Sequence, residues 1–299
     1  MKPFPKILHL TCRNRNNIDN IVWINCYNKF KAMYTNYDIR LYDNNDIYKI
    51  VQKFYPNHLN IVKSIKNGGA LADTFRYLIL YLYGGIYADM DCEPLRHIDE
   101  LFNDFIYYHG KKRNLIEDKK YQFTIKHNHK RINNHDEYSI NPCRNYIKEN
   151  DKFICKGHKI VGTGNNADII VSNEFSKYYG LNKQNGQICQ WFIISKRGIG
   201  AMKACYIECI KNIVSGKYLE SVHNYTGPGM FTQMLNYYIN HKACRVNILP
   251  VDVFCSGNNM PITDNSFIKH HFTGSWRAEE NRRLRKNKEI PTHNGAFLL

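Results

Sequence analysis

Apolar and polar positions along this chain follow two periods, and the periods trade places. The opening PKILHLTC holds a short apolar run, Lys6 to Leu10, of strand length. Ile18, Ile21, Val22, Ile24, Tyr27 and Phe30 then recur near helical spacing and predict an amphipathic helix. YDIRLYD predicts a second strand, closed by a turn over DNND. IYKIVQKFY returns to helical spacing and must stop before Pro56. From Ala70 to Tyr83 a third helix is expected, with Leu71, Phe75, Leu78, Ile79 and Leu82 on its apolar face and Gly84 as a left-handed cap. GIYAD is then a short buried strand.

Residues 103–150 break this rhythm. They are polar, charged and His-rich, and read as an insertion or a long loop at the site. His127, His129 and His135 match no familiar metal spacing and read as surface histidines. Beyond them, ADIIVSN and CQWFIISKRG are apolar segments, Ala201–Val214 and Met230–Tyr238 are helical, VNILPVDVF is a late strand and FIKHHFTGSW a last strand ending in a turn. Alternating strands and helices predict an α/β fold with a largely parallel sheet. With no repeat and no Pro/Ser-rich linker, one domain over 1–299 is the simplest expectation.

Composition narrows the class. At 299 residues and 43% hydrophobic content, the chain can bury a sizeable core and is not of the disordered type. No run of about 18 apolar residues is present, so no membrane span is expected. The apolar patch Ile7–Leu10 is shorter than a signal-peptide core of about 7–15 residues. The expected location is therefore the cytoplasm or the cytosolic face of a membrane, with peripheral contact left open. The ten cysteines form no CxxC pair and read as reduced, buried thiols. The net charge of +16 is spread, with runs at Lys111–Arg113, Lys126–Arg131 and Arg282–Lys288. It suits a nucleic acid, a diphosphate ligand or an anionic membrane face alike, and does not choose. The wealth of Asn, Lys, Ile and Tyr fits A/T-rich codons, as in an A/T-biased host or a virus.

The chemistry concentrates at YGGIYADMD. A strand ending in Asp-x-Asp puts Asp89 and Asp91 on one face, where like charges repel. A hard divalent ion, Mg²⁺ or Mn²⁺, would resolve the conflict and hold a diphosphate. Carboxyl ends of strands in open α/β sheets are also where ligands bind. The plainer alternative is that the pair caps a turn or meets surface lysines. Asp73 and Arg76, three apart on the polar side of the preceding helix, could pair or hold a sugar hydroxyl. NYTGPGMFTQ sets a Gly-Pro-Gly turn before a helix, whose start serves either as a plain helix opening or as a seat for an anion or acceptor. Asn173, Gln190 and Trp191 are candidates for the acceptor side. GTGNNADIIVSN lacks the Lys-Ser/Thr of a phosphate-binding loop.

In the order ALADTFRY…YGGIYADMD the chain resembles the sugar-binding DxD region of family 32 glycosyltransferases, which includes fungal α-mannosyltransferases, and more distantly the core of bacterial glucosylating toxins. FPKILHLTC and HHFTGSW resemble the family's opening and its His-x-x-x-Ser-Trp ending. The resemblance implies a GT-A-type fold, a Rossmann-like mixed sheet flanked by helices. It places His9, Leu10 and Thr11 beside the nucleotide. Cys12 stands where the family has an aromatic residue, so base stacking would fall to another ring. It assigns Asp73, Arg76 and Asp89 to the donor sugar, Asp91 to the metal with Asp89 close by, and His271 or His270 to completing the metal shell. Strand alternation lets only one of those histidines reach it. Ser275 and Trp276 would close over the diphosphate.

The activity implied by the resemblance is a metal-dependent transfer of a hexose from a UDP- or GDP-sugar to a glycan, lipid or protein hydroxyl, with retention and with Asp89 and Asp91 catalytic through electrostatics. Rival classes are a basic nucleic-acid-binding protein, an inactive sugar-binding relative and, more weakly, a metal-dependent nuclease. Nucleic-acid binding would be salt-sensitive and indifferent to Asp91. An inactive relative would bind without releasing nucleotide.

Overall fold

The computed structural model describes residues 3–108, 111–114, 146–149, 152–155, 158–162, 167–174, 187–249, 251–257, 262–264 and 266–274. His127, His129, His135, Ser275 and Trp276 lie outside the described residues.

The first half of the fold alternates as the sequence pattern requires. β1 (Ile7–Thr11) leads to α1 (Ile21–Met33), β2 (Asp38–Tyr42), α2 (Asn44–Phe54), the short α3 (Leu59–Lys63), α4 (Gly68–Tyr83) and β3 (Gly85–Ala88). β1 lies between β2 and β3 and is parallel to both. Three differences from the sequence expectation have local causes. DNND is a helix start and not a turn: Asp43 caps the Asp46 N–H while Asp46 accepts from the Asp43 N–H. α1 begins only at Ile21, because the Asn20 side chain accepts from the N–H groups of Val22 and Trp23. Ile18 therefore precedes the helix, Ile21 at its end is 64% exposed, and Cys26 and Phe30 carry the buried face. α4 starts two residues earlier than expected, at Gly68, where Asn67 caps it.

The second half completes a mixed sheet. β4 (Cys92–Pro94) is followed by β5 (Phe102–Tyr108), β6 (Lys111–Asn114), β7 (Tyr146–Glu149), β8 (Lys152–Cys155) and β9 (His158–Gly162). β6, β5 and β9 form one small antiparallel sheet and β7 with β8 another, so part of the stretch read as a long loop is β-structure. Next come β10 (Ile169–Glu174), β11 (Gln187–Ile188), β12 (Phe192–Ser195), α5 (Gly200–Val214), α6 (Val222–Tyr225), α7 (Pro228–Asn240), β13 (Val246–Leu249), α8 (Val251–Phe254) and β14 (Ile268–His270). β12 runs antiparallel to β3 and joins β10, which carries β13 on its other edge and β11 at its end, giving seven strands. VNILPVDVF is thus half strand, Val246–Leu249, and half helix, Val251–Phe254.

Helices cover both faces. Tyr87, Ile169, Val171 and Ile193 point into a core shared with α2, α4, α5 and α7. Ile86, Ala88, Ile170, Phe192 and Ile194 point into a second core with Phe30 of α1 and Phe254 of α8. Every residue of β3 and β12 is buried, which is why these strands read as unbroken apolar runs. At the α4–β3 joint, Gly84 has φ +66° and ψ −163° and Gly85 has φ +95°. The positive φ expected at Gly84 is present, with an extended ψ in place of a helical one. A Cβ on Gly85 would lie 2.4 Å from the Ile7 carbonyl oxygen, so side-chain absence lets β3 pack against β1.

Candidate active site

The carboxyl ends of β1, β2 and β3 meet the start of α4, and a cleft of about 520 Å³ opens there. Thr11, Cys12 and Arg13 follow from β1, Asn44 and Ile47 from α2, Gly68 to Arg76 from α4, and Asp89 to Asp91 from the turn after β3. Gly227 and Pro228, at the start of α7, also line the cleft.

The floor is a buried polar cluster built on α4. That helix is almost wholly buried, so its expected polar side does not face water; it faces this cleft. Arg76, 3% exposed, contacts the carboxylates of Asp73 at 2.8 Å and Asp89 at 3.2 Å. It also donates to the Gln190 carbonyl at 2.8 Å and lies 4.6 Å from the Tyr87 ring centroid. Asp73 accepts in addition from Gln190 Nε2 and Thr226 Oγ1, both at 3.0 Å. Burial pushes the Asp73 carboxyl up to about 6 against the pull of Arg76, so it is ionised at neutral pH. Loss of water likewise raises Asp89, with Arg76 opposing; Tyr87 donates to Asp89 at 2.9 Å. Arg76 Nε, buried, has no partner among the described residues.

A second cluster stands beside the first. The strand ends at Ala88, so Asp89 and Asp91 do not share a strand face; the chain turns between them and sends each to different partners. Asp91 Oδ1 lies 3.0 Å from His270 Nε2. Its Oδ2 accepts from the Thr273 N–H at 2.9 Å and the Thr273 hydroxyl at 2.8 Å. Burial opposes charge on Asp91, but His270 and the two Thr273 donors outweigh it and hold the carboxyl well below the usual carboxylate range. His270 stacks on Trp191 with centroids 4.5 Å apart, and Phe272 packs edge-on to both rings. Asp91, Cys92 and His270 bring their ligand atoms within 4.8 Å of one another.

Residues 15–107, which span this α4–β3–turn unit, match the family model described as the glycosyltransferase sugar-binding region containing the DXD motif. The initiation-specific α-1,6-mannosyltransferase of Schizosaccharomyces pombe is 24% identical over 241 residues, 70% of this chain and 47% of that protein. Over these residues the chain is similar to glycosyltransferases. An inositol phosphoceramide mannosyltransferase of the same yeast is 29% identical over 99 residues, 33% of this chain and 27% of that one. The chain thus spans about half the length of the first of these relatives and about a quarter of the second. Among solved structures, the PaToxG glycosyltransferase aligns over 81% of this chain and 72% of its own, at 13% identity and a TM-score of 0.41. The catalytic domain of Clostridium novyi alpha-toxin aligns over 98% and 81%, at 13% identity and 0.37.

Of the residues expected at the site, Asp73, Arg76, Asp89, Asp91 and Thr11 converge on the cleft. His9 and Leu10 do not line it. His9 is fully buried between the Tyr42 hydroxyl at 3.0 Å and the Gly84 carbonyl at 2.9 Å, and burial lowers it to about 4, so it is neutral. Leu10 belongs to the core under α1. Of the two histidines, the one turned to Asp91 is His270; His271 instead pairs with Glu93. Asn173, on β10, is not among the described lining residues, whereas Gln190 and Trp191 are, with Gln190 hydrogen-bonded to Asp73. Trp23, Tyr87, Thr226 and Thr273 do not stand out in the sequence. Thr226 adjoins the Gly-Pro-Gly turn and Thr273 lies inside HHFTGSW; Trp23 and Tyr87 read as ordinary core aromatics.

Proposed function

We propose that this chain is a metal-dependent glycosyltransferase moving a hexose from a nucleotide-diphosphate sugar to a hydroxyl acceptor on a glycan, lipid or protein, with retention of anomeric configuration. One observation carries the reading: a buried Asp73–Arg76–Asp89 floor and an Asp91–His270 pair open on the same cleft. Charged groups this deep cost several kcal/mol unless they are used or paired, and here they are held in fixed geometry facing a space.

The second pair fits a hard divalent ion. Two ligand atoms in neighbouring positions of an octahedral shell at about 2.1 Å stand about 3.0 Å apart; the Asp91 Oδ1 to His270 Nε2 distance is 3.0 Å. Bound there, Mn²⁺ or Mg²⁺ would neutralise charge gathering on a departing diphosphate. Asp73 and Arg76 would take hydroxyls of the donor sugar, and Asp89 would bridge sugar and ribose. The α7 start, with Gly227 and Pro228 on the cleft wall, turns the positive end of the helix dipole towards an oxygen-rich ligand. In the front-face substitution that this reading takes, the acceptor proton leaves with the phosphate, and no separate base is assigned.

The test is a donor panel: UDP- and GDP-hexoses with Mn²⁺, reading freed nucleotide. Turnover of at least one donor is expected, lost in Asp91→Asn with the circular dichroism spectrum unchanged. Undiminished turnover in that variant refutes the metal assignment, and salt-sensitive nucleic-acid binding with no donor turnover refutes the reading as a whole.

A further inference from the structure

Three aromatic rings line the cleft, Trp23, Trp191 and Phe272. Two of them are committed: Trp191 lies flat on His270, and Phe272 stands against both. Trp23 has no ring contact among the described residues. It is half-buried, packs its inner side on the core under α1, and lines the cleft with Cys12 and Arg13. Its only polar side-chain atom is already used. The indole N–H donates to Thr273 Oγ1 at 3.2 Å, across 250 residues of sequence.

That hydrogen bond begins a relay. Thr273 Oγ1 accepts from Trp23 and donates to Asp91 Oδ2 at 2.8 Å, while the Thr273 N–H reaches the same oxygen at 2.9 Å. With Oδ2 saturated, Oδ1 is left facing His270. The backbone around Thr273 is held in an unusual shape to achieve this. Phe272 has φ +50° and Gly274 φ +61°. A bulky residue at positive φ is strained and persists only where surrounding contacts fix it. The Thr273 bonds to Asp91 and Trp23, and the Phe272 ring contacts, are those contacts.

We propose that Trp23 serves both ends of the donor: the side of its ring that lines the cleft stacks the nucleobase, and its N–H, through Thr273, positions Asp91 for the cation. The inference rests on the donor reading above and extends it to the base. The position after β1, where stacking by an aromatic would be sought, holds Cys12, whose side chain is buried and has no face to offer. Trp23 lines the same part of the cleft from α1. Stacking on a ring is indifferent to which base is present, because each base has a π-face, and so the recognition is of a nucleobase as a class.

Two binding measurements on the full chain separate the two roles. One is Mn²⁺ affinity without nucleotide, from the electron paramagnetic resonance signal of free Mn²⁺. The other is UDP and GDP affinity in EDTA, by calorimetry. Trp23→Phe keeps a ring and removes the N–H; it should weaken Mn²⁺ about two- to tenfold and leave nucleotide affinity within about twofold. Thr273→Val should do the same, and Thr273→Ser should restore Mn²⁺ affinity. Trp23→Ala should weaken both, the nucleotide by roughly ten- to a hundredfold. Nucleotide affinity unchanged in Trp23→Ala overturns the stacking role. Mn²⁺ affinity unchanged in both Trp23→Phe and Thr273→Val overturns the positioning role. A wild-type chain that binds Mn²⁺ but neither nucleotide sinks the donor reading itself, whichever variant is tried.

Discussion

Replacing Arg76 by methionine tests the electrostatics of the site without any substrate. Methionine keeps most of the volume and deletes the charge. Arg76 neutralises Asp73 at 2.8 Å and Asp89 at 3.2 Å, and it caps the Gln190 carbonyl. Asp73 is 3% exposed and cannot turn to water. Removing one partner of a buried ion pair costs about 3–5 kcal/mol, because the other charge is left unpaired. For a chain of this size that is a fall in Tm of roughly 5–15 °C. The pH dependence has a definite sign. Burial already lifts Asp73 to about 6, above the roughly 3.9 of an unfolded aspartate. A raised acid destabilises the fold above its folded pKa, and that cost fades as pH falls from there towards the unfolded value. Without Arg76 the carboxyl climbs further. The gap between Arg76→Met and wild type should therefore be widest above pH 7 and shrink towards pH 5, where Asp73 is protonated in both. The assay is thermal or urea unfolding at pH 7.5 and pH 5. A gap under about 1 kcal/mol at pH 7.5, or one that widens on acidification, would refute the argument that Arg76 is held chiefly by buried charge.

The two neighbouring histidines should behave differently. His270→Ala should abolish Mn²⁺ binding, whereas His271→Ala breaks only the partly exposed pair with Glu93 and should cost about 0–1 kcal/mol of stability; equal Mn²⁺ affinities in the two variants would reverse the assignment. Gly85→Ala forces a Cβ to 2.4 Å from the Ile7 carbonyl at φ +95° and should destabilise by at least about 2 kcal/mol. A melt within about 1 °C of wild type would mean that β1 and β3 can separate at little cost.

Sequence period alone determined the β1–α1–β2–α2–α4–β3 order, because local propensity, caps and the burial pattern agree along that half. It also located the chemistry: Asp73 and Arg76 lie three apart on one helix, so helical geometry brings them together whatever surrounds them. The Asp91–His270 pair was half legible. HHFTGSW marked two histidines, but which one faces Asp91 depends on the pairing of β14 with β4, where His270 sits opposite Cys92. Strand alternation predicted that only one would reach, and could not say which. The shared face expected for Asp89 and Asp91 failed because the strand ends at Ala88, a boundary fixed by β12 and the turn after β3 and not by composition.

Other features belonged to tertiary structure from the start. Thr226, Gln190, Trp23 and Thr273 come from four separate segments, and nothing in the spacing of one announces the others. Whether α4's polar residues meet solvent or a cleft is likewise set by what packs around the helix. His9 shows the same limit in reverse: a polar residue in the middle of the strand that leads to the site is consumed by Tyr42 and Gly84. Local pattern fixes which residues share an element, since that depends on backbone geometry within a few residues. Long-range packing decides which elements share a cleft, since that depends on contacts hundreds of residues apart.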